Sequence, residues 1–199
     1  LLIRHGETEY VAKGIMSARM PGVFLNEKGR AQAAAVAQAL SGAPIKRIYS
    51  SPMERAHETS VYLANLLHLE VIISDGIIET DVGQWTGLSG EQVKDSPLWQ
   101  VLHNQPSKMQ FPGGESFAGM QKRSVAEIQA IADRHPGEMV ACFSHADVIR
   151  LALAHFLEMP LDAMHRISVD PCSVSVLAFM PDGRVRVRRM NQITGPVWT

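Results

Sequence analysis

Short apolar runs alternate with longer helix-forming stretches along most of this chain, and this alternation constrains the fold more than any other feature. Residues Leu1–Ile3, Arg47–Ser50, Glu70–Ile73 and Met139–Phe143 have the length and composition of strands. Strands that alternate with helices are typical of a parallel sheet whose crossover helices cover both faces. We therefore predict an α/β fold, a three-layer α/β/α sandwich with a mostly parallel central sheet.

Start and stop signals bound the helices between these strands. Asn26 is placed to cap a helix that runs to about Leu40. Ser51 is placed to cap the next helix, with Pro52 in its first turn and Glu54 completing a capping box. Further helices are predicted over residues 116–135 and 147–157, and a closing hairpin over residues 173–188.

The length and composition of the chain favour one folded domain. A sequence of 199 residues, 46% of them hydrophobic, can bury a substantial core. We therefore predict a single domain over residues 1–199. Within it, residues 10–25 and 83–115 are predicted to form a small cap of loops and short helices at one end of the sheet. The second of these segments is rich in glycine, proline and polar residues.

Charge and hydropathy argue against several classes of partner. The formal net charge is −1, so no overall field attracts nucleic acid or an anionic membrane. No apolar run has the length of a bilayer span and no signal-peptide pattern is visible, which predicts a cytoplasmic protein without a membrane partner. Cys142 lies in an apolar, strand-like run, which favours a buried free thiol over a disulfide.

Charged or titratable side chains follow several of the predicted strands or begin the predicted helices. Arg4 and His5 follow the first strand, Arg55 lies near the start of a helix, Glu79 follows an apolar pair, and His145 follows the fourth strand. Because the carboxyl ends of parallel strands meet at one edge of a sheet, we expect these groups to converge. Two arginines, two histidines and a carboxylate are suited to phosphoryl transfer.

Several segments together resemble the histidine phosphatase superfamily, in its phosphoglycerate-mutase-like branch. The sequence RHGET at residues 4–8 is similar to the first motif of that family, and SPMERAHET at 51–59 is similar to the second. The sequence ETDVGQWTG at 79–87 resembles the third motif and SHADVI at 144–149 the last, while PGGES at 112–116 matches a turn of the family. Four motifs in this order are far more specific than any one of them.

The resemblance implies a role for each of the converging residues. His5 is expected to attack phosphorus and form a phosphohistidine, in its neutral form with the tautomer fixed by a backbone carbonyl. Arg4, Arg55 and His145 are expected to bind the phosphoryl oxygens. Glu79 is expected to protonate the leaving oxygen and then to deprotonate water, which needs a raised pKa.

Further residues complete the expected site or depart from the family pattern. Thr8 and the backbone amide of Ala146 are expected to contact phosphate or substrate, and no metal or cofactor is expected because arginines supply the positive charge. Val11 stands where the family often has an asparagine that contacts phosphate, and Ala146 where glycine is frequent. Ile78 replaces an often basic residue before the acid.

Other conspicuous residues have ordinary structural explanations. Arg184, Arg186 and Arg188 alternate with apolar residues, which favours a solvated edge strand over a nucleic-acid site. Met16, Met20, Met109 and Met120 fit an adaptable substrate wall or core gap filling equally well. The remaining histidines lack metal-ligand spacing and are assigned to the surface or to packing: His57, His68, His103, His135, His155 and His165.

These features predict a metal-independent phosphomonoester hydrolase that acts on a small phosphorylated metabolite. One alternative is a phosphoglycerate-type phosphomutase, which is disfavoured because residues 83–111 carry only Lys94 and Lys108 as cations. The other alternative is a weakly active module that binds a phosphorylated ligand, for which Val11 is the main argument. A homodimer is a possible assembly.

Overall fold

A mixed six-stranded sheet forms the centre of the protein in the computed structural model, which describes residues 1–193. The strands are β1 (Leu2–Arg4), β2 (Ile45–Ser50), β3 (Val71–Ile73), β4 (Met139–Ser144), β5 (Val174–Phe179) and β6 (Val185–Gln192). Their order across the sheet is β3-β2-β4-β1-β5-β6. Strands β3, β2, β4 and β1 pair in parallel, and β5 is antiparallel to both β1 and β6. The predicted α/β class and mostly parallel sheet are confirmed.

Helices connect the parallel strands. They are α1 (Glu9–Ala12), α2 (Glu27–Leu40), α3 (Glu54–Leu67), α4 (Gly90–Val93), α5 (Pro97–Asn104), α6 (Phe117–Arg134) and α7 (Ala146–Phe156). Short 3₁₀ helices lie at Asp75–Ile77, Gly83–Trp85, Pro106–Lys108 and Leu161–Arg166. Within residues 1–193, none of the helices combines the length and the apolar character needed to cross a bilayer.

Two hydrophobic cores lie on the opposite faces of the sheet. Successive residues of β4 alternate between them: Ala141 and Phe143 belong to the core under α2 and α3, and Cys142 belongs to the core under α6 and α7. Strand β1 alternates in the same way, with Leu2 and Ile3 in different cores. Because side chains of a strand point alternately to its two faces, both faces of this sheet are covered and the architecture has three layers.

The second predicted helix begins later than the sequence indicated. Its N-cap residue is Met53, whose side chain makes no capping hydrogen bond, and the prediction of a cap at Ser51 is wrong. The Ser51 N–H donates to the Phe143 carbonyl at 2.9 Å, so the chain continues alongside β4 for one residue past β2. Ser51 is therefore held by the sheet, and its Oγ accepts from the Met53 N–H at 3.3 Å just before the helix.

The predicted edge hairpin is confirmed at the far side of the sheet. Strands β5 and β6 pair antiparallel on either side of a turn, and β6 is the last strand in the order. Arg186 and Arg188 are exposed while Val185 and Val187 are half-buried. This alternation is that of a solvated edge strand, whose charged residues discourage pairing with other chains.

The two segments that were predicted as a cap are joined by backbone hydrogen bonds. The Met16 N–H donates to the Leu88 carbonyl at 2.9 Å, and the Gly87 N–H donates to the Met16 carbonyl at 2.8 Å. Residues 83–115 contain two short helices and two 3₁₀ turns, as the composition indicated. The division of the chain into one domain over 1–199 stays a prediction, and its last six residues lie outside the described range.

Candidate active site

The ends of β1 and β4 bring two histidines together. These strands pair in parallel with Arg4 opposite Ser144, and the His5 N–H donates to the Ser144 carbonyl at 2.9 Å. His5 and His145 each follow directly, so their ring centroids lie 5.2 Å apart although 140 positions separate them in the sequence. The convergence expected from the parallel strand ends is thus observed.

The local contacts of His5 hold its ring in one tautomer. Its Nδ1 lies 2.7 Å from the Gly6 carbonyl oxygen, which can only accept, so Nδ1 carries the hydrogen and Nε2 keeps a free electron pair. Burial lowers the pKa of His5 well below its usual value of 6.5, and the charges of Arg55 and Arg4 lower it further. His5 is therefore neutral near pH 7, as a nitrogen nucleophile must be.

Arg55 places a buried positive charge beside these rings. Its side chain is fully buried, and Nη2 donates to the Ala18 carbonyl at 2.7 Å while lying 3.8 Å from Glu79 Oε2. Its Nε and Nη1 have no hydrogen-bond partner among residues 1–193. Burial lowers the pKa of Arg55 from its usual value, yet a guanidinium stays charged in proteins. A buried cation with unused donors is suited to an anionic ligand.

Arg4 supplies a second guanidinium at the same edge of the sheet. Its Nη1 donates to the Val169 carbonyl at 2.7 Å, and its buried Nε has no partner within residues 1–193. Burial lowers the pKa of Arg4, and the nearby Glu79 carboxylate opposes that shift. Arg4 lines the same cavity as His5 and Glu79. Arg55 is not among the lining residues, but its Nη2 lies 3.8 Å from the Glu79 carboxylate, which is.

Glu79 places a carboxylate close to the two histidines. Its Oε1 accepts from the Thr80 N–H at 2.9 Å, and its Oε2 lies 3.4 Å from His145 Nδ1. Burial raises the pKa of Glu79 above 4.5, while the Arg55 charge lowers it. The direction of the net shift favours the protonated carboxyl, which is the form that can donate a proton.

A network of charged residues holds the backbone of Glu79. Arg19 Nε and Arg123 Nη2 both donate to the Glu79 carbonyl, at 2.9 and 3.2 Å. Glu115 accepts from both guanidiniums, and its Oε1 also accepts from the Asp81 N–H at 2.9 Å. Sequence reasoning identified the turn that carries Glu115 but assigned no role to these three side chains. Arg19 and Glu115 lie 96 residues apart, and no local pattern marks such a pair.

Ser51 is a further contact that the sequence did not reveal. Its Oγ lies 2.7 Å from Nε2 of the fully buried His145. The opposite nitrogen, Nδ1, faces the Glu79 carboxylate but is not aligned for a hydrogen bond. A carboxylate favours a hydrogen on Nδ1, and Nε2 then accepts from the Ser51 hydroxyl. Burial, with the Arg55 charge next, keeps the pKa of His145 well below 6.5, so that ring is neutral too.

Of the other two residues predicted to contact substrate, Ala146 lines the cavity and Thr8 does not. Ala146 lines the cavity and occupies the first position of α7, where a backbone N–H has no partner within the helix. Thr8 is fully buried, and its hydroxyl accepts from the Val11 N–H at 3.1 Å as the N-cap of α1. It is not among the residues that line the cavity, so its contact with phosphate stays a prediction. Val11 lines that cavity.

A cavity of about 380 Å³ opens beside these groups, between the sheet edge and the cap. Arg4, His5 and Glu79 lie on its wall together with side chains of both cap segments. His165, which the sequence assigned to the surface or to packing, also lines it. The methionines fit different alternatives. Met16 lines the cavity, whereas Met109 and Met120 are buried in the core.

His5, Glu79 and His145 also meet the distance requirement for a metal site. One ligand atom from each lies within 4.8 Å of the others. Two imidazoles and a carboxylate resemble a zinc ligand set, but Arg4 and Arg55 add two positive charges at the same place. That charge opposes a cation and favours an anion. The expectation that no metal binds here stays a prediction.

The chain belongs to the histidine phosphatase superfamily (branch 1), whose family model matches residues 1–193. It is 35% identical to the bifunctional protein Rv2228c of Mycobacterium tuberculosis over 195 residues, which are 96% of this chain and 53% of that protein. The chain thus spans about half the length of the first curated relatives that it matches.

Two further proteins are similar over most of their own length. Phosphoserine phosphatase 1 of Hydrogenobacter thermophilus is 33% identical over 199 residues, which cover 96% of this chain and 90% of that protein. The solved structure of Bacillus stearothermophilus YhfR superposes with a TM-score of 0.91 at 26% identity, covering 97% of this chain and 96% of that one. The predicted family is therefore confirmed along with the fold.

Proposed function

We propose that this protein is a metal-independent phosphomonoester hydrolase that works through a phosphohistidine on His5. One observation supports the proposal most strongly: the buried Arg55 and the half-buried Arg4 keep buried N–H donors unused near a neutral histidine whose Nε2 is free. In phosphoryl transfer most of the catalysis comes from positioning and from stabilising charge on the equatorial oxygens. Two arginines and the Nδ1 hydrogen of His145 are suited to that task.

The reaction proceeds in two displacements at phosphorus. In the first, His5 Nε2 attacks, the bond from phosphorus to the ester oxygen breaks, and Glu79 gives its proton to the leaving oxygen. In the second, Glu79 takes a proton from water, whose oxygen attacks phosphorus and breaks the bond to Nε2. Phosphate leaves, and both residues return to their starting states. The raised pKa of Glu79 lets one carboxyl serve both steps.

A small phosphorylated metabolite is the substrate class that the site supports. The cavity of about 380 Å³ is at the small end of the range for ligand sites. A similar protein is named as a phosphoserine phosphatase, which is consistent with a small ester.

We further propose that a single domain, with its cap formed by residues 10–25 and 83–115, has this activity, and that the protein acts in the cytoplasm. A homodimer stays a prediction.

The test is hydrolysis of aryl and alkyl phosphomonoesters with chelator present, by wild type and by His5→Ala. We expect turnover by the wild type, a phosphorylated His5 in rapidly quenched samples, and loss of both in the variant. His57→Ala is the matched control, because His57 is an exposed histidine on α3. Phosphate on another residue, or full activity of His5→Ala, would refute the mechanism.

The same assay, extended to 3-phosphoglycerate and to ligand binding, separates the two alternatives. A phosphomutase would move the phosphoryl group between carbons of phosphoglycerate faster than it releases phosphate. A binding module would hold a phosphorylated ligand tightly without turnover. Either result would replace the hydrolase proposal.

A further inference from the structure

The part of the cavity wall that the two cap segments form is largely apolar. Val11 and Ile15 contribute from the first cap segment, and Trp99, Leu102 and Phe111 from the second. Helix α5, which carries Trp99 and Leu102, has no fully buried residue, so these two side chains are only half-buried. Apolar side chains that remain accessible in a concave site are typical of a surface that a ligand covers.

The charges around the same wall leave no cation for a second anionic group. Apart from Arg4, the cationic side chain lining the cavity is Arg150, which pairs with Asp147 and donates to the Ile167 carbonyl at 2.9 Å. The lining also contains His165, whose Nε2 lies 2.8 Å from the Leu102 carbonyl. Among the described residues that line the cavity, no lysine is present. A carboxylate placed here would lose its hydration without gaining an ionic partner.

We propose that the substrate's leaving group is uncharged and mainly apolar, with the size of one ring or a short branched chain. The inference rests on the proposed phosphatase function and adds the class of alcohol released. Burial of that group against the half-buried Trp99 and Leu102 favours binding, because apolar surface is removed from water. Phosphoserine and phosphoglycerates carry a carboxylate, so this site disfavours them.

A matched pair of esters tests the preference. Benzyl phosphate and 4-carboxybenzyl phosphate share the ring and the reacting oxygen and differ by one carboxylate. We expect kcat/KM to be about tenfold or more higher for benzyl phosphate, which corresponds to one unpaired charge at the wall. Phosphoserine should be as poor a substrate as the carboxylated ester.

Variants locate the preference in the cavity wall. Leu102→Arg adds a cation there and should reduce the ratio between the two esters by about tenfold. Leu66→Arg is the control, because Leu66 is an exposed leucine on α3 that does not line the cavity. Leu102→Ser provides a second variant without an added charge, and it should lower kcat/KM for benzyl phosphate more than for the carboxylated ester.

Three outcomes would overturn the inference. If the wild type hydrolyses 4-carboxybenzyl phosphate as fast as benzyl phosphate or faster, the proposed apolar preference is wrong, although the phosphatase function stands. If the ratio of kcat/KM for the two esters is unchanged in both folded Leu102 variants, the cavity wall at Leu102 does not determine the preference. Failure to hydrolyse any ester, with no phosphate on His5, would overturn the proposed function and this inference with it.

Discussion

Single residues at this site combine burial with unpaired polar atoms, and burial is the largest cause of their pKa shifts. Arg55 is fully buried with two nitrogens unbonded within residues 1–193, beside two histidines that burial keeps neutral. Such an arrangement costs folding free energy, because buried donors lose hydrogen bonds to water. Its presence at one sheet edge is typical of a functional site, where an anionic ligand restores the lost interactions.

Substitution of Ser51 tests whether a single hydrogen bond fixes the tautomer of His145, because the Ser51 hydroxyl contacts that ring. Ser51→Ala removes the donor to Nε2, so the ring can adopt the other tautomer and direct a lone pair toward phosphate. We expect kcat to fall about tenfold, the value of one hydrogen bond to a developing charge. Nitrogen-15 NMR of the His145 ring should report a changed tautomer in the same variant.

The neighbouring serine supplies the control for this prediction. Ser50 is equally buried, but its hydroxyl donates to the Ser51 carbonyl and not to His145. Ser50→Ala should leave the His145 spectrum unchanged. An unchanged kcat and spectrum in Ser51→Ala would show that the contact does not fix the ring.

The pairing of strands explains why the convergence of the site residues was predicted correctly and why the helix cap at Ser51 was not. The strand ends predicted that Arg4, His5 and His145 would converge, because parallel pairing aligns the ends of β1 and β4. The cap predicted at Ser51 failed although a serine followed by proline is a good local signal. The Ser51 N–H is bonded to the Phe143 carbonyl of a neighbouring strand, and a local pattern carries no information about that partner.

Helix α3 carries Arg55 and is held by its apolar face, which gives a prediction for stability. Leu63 is 0% exposed in the core under α2 and α3, whereas Leu66 on the same helix is 47% exposed. Leu63→Ala should lower the free energy of unfolding by about 3 kcal/mol through lost burial and a cavity. Leu66→Ala should cost less than about 1 kcal/mol. Urea denaturation of the two variants measures the contrast, and equal losses would contradict it.

For the whole molecule, the buried histidines predict how stability depends on pH. Burial holds the pKa of His5 and of His145 well below 6.5, so below pH 6.5 the unfolded chain binds more protons than the folded one. Stability should therefore fall on acidification, by about 1.4 kcal/mol per pH unit for each histidine. The raised pKa of Glu79 acts in the opposite direction, because its stabilising effect is lost as pH rises from 4.5.

Thermal unfolding between pH 7 and pH 5 measures this dependence. The melting temperature of the wild type should fall across that window, and the fall should be smaller in His5→Gln. His57→Gln, at an exposed position on α3, should follow the wild type. If the melting temperature of the wild type does not change between pH 7 and pH 5, these two rings do not determine how stability depends on pH.

The sequence by itself determined the family, the α/β class and the strand-end histidines, and it singled out Glu79, because motifs and hydrophobic periodicity are local properties of the chain. Only the tertiary structure decided what lies around them. The contact of Ser51 with His145, the ionic network through Glu115 and the apolar cavity wall each join residues from distant segments. Such contacts depend on how helices and loops pack across the sheet, and no spacing within one segment specifies that packing.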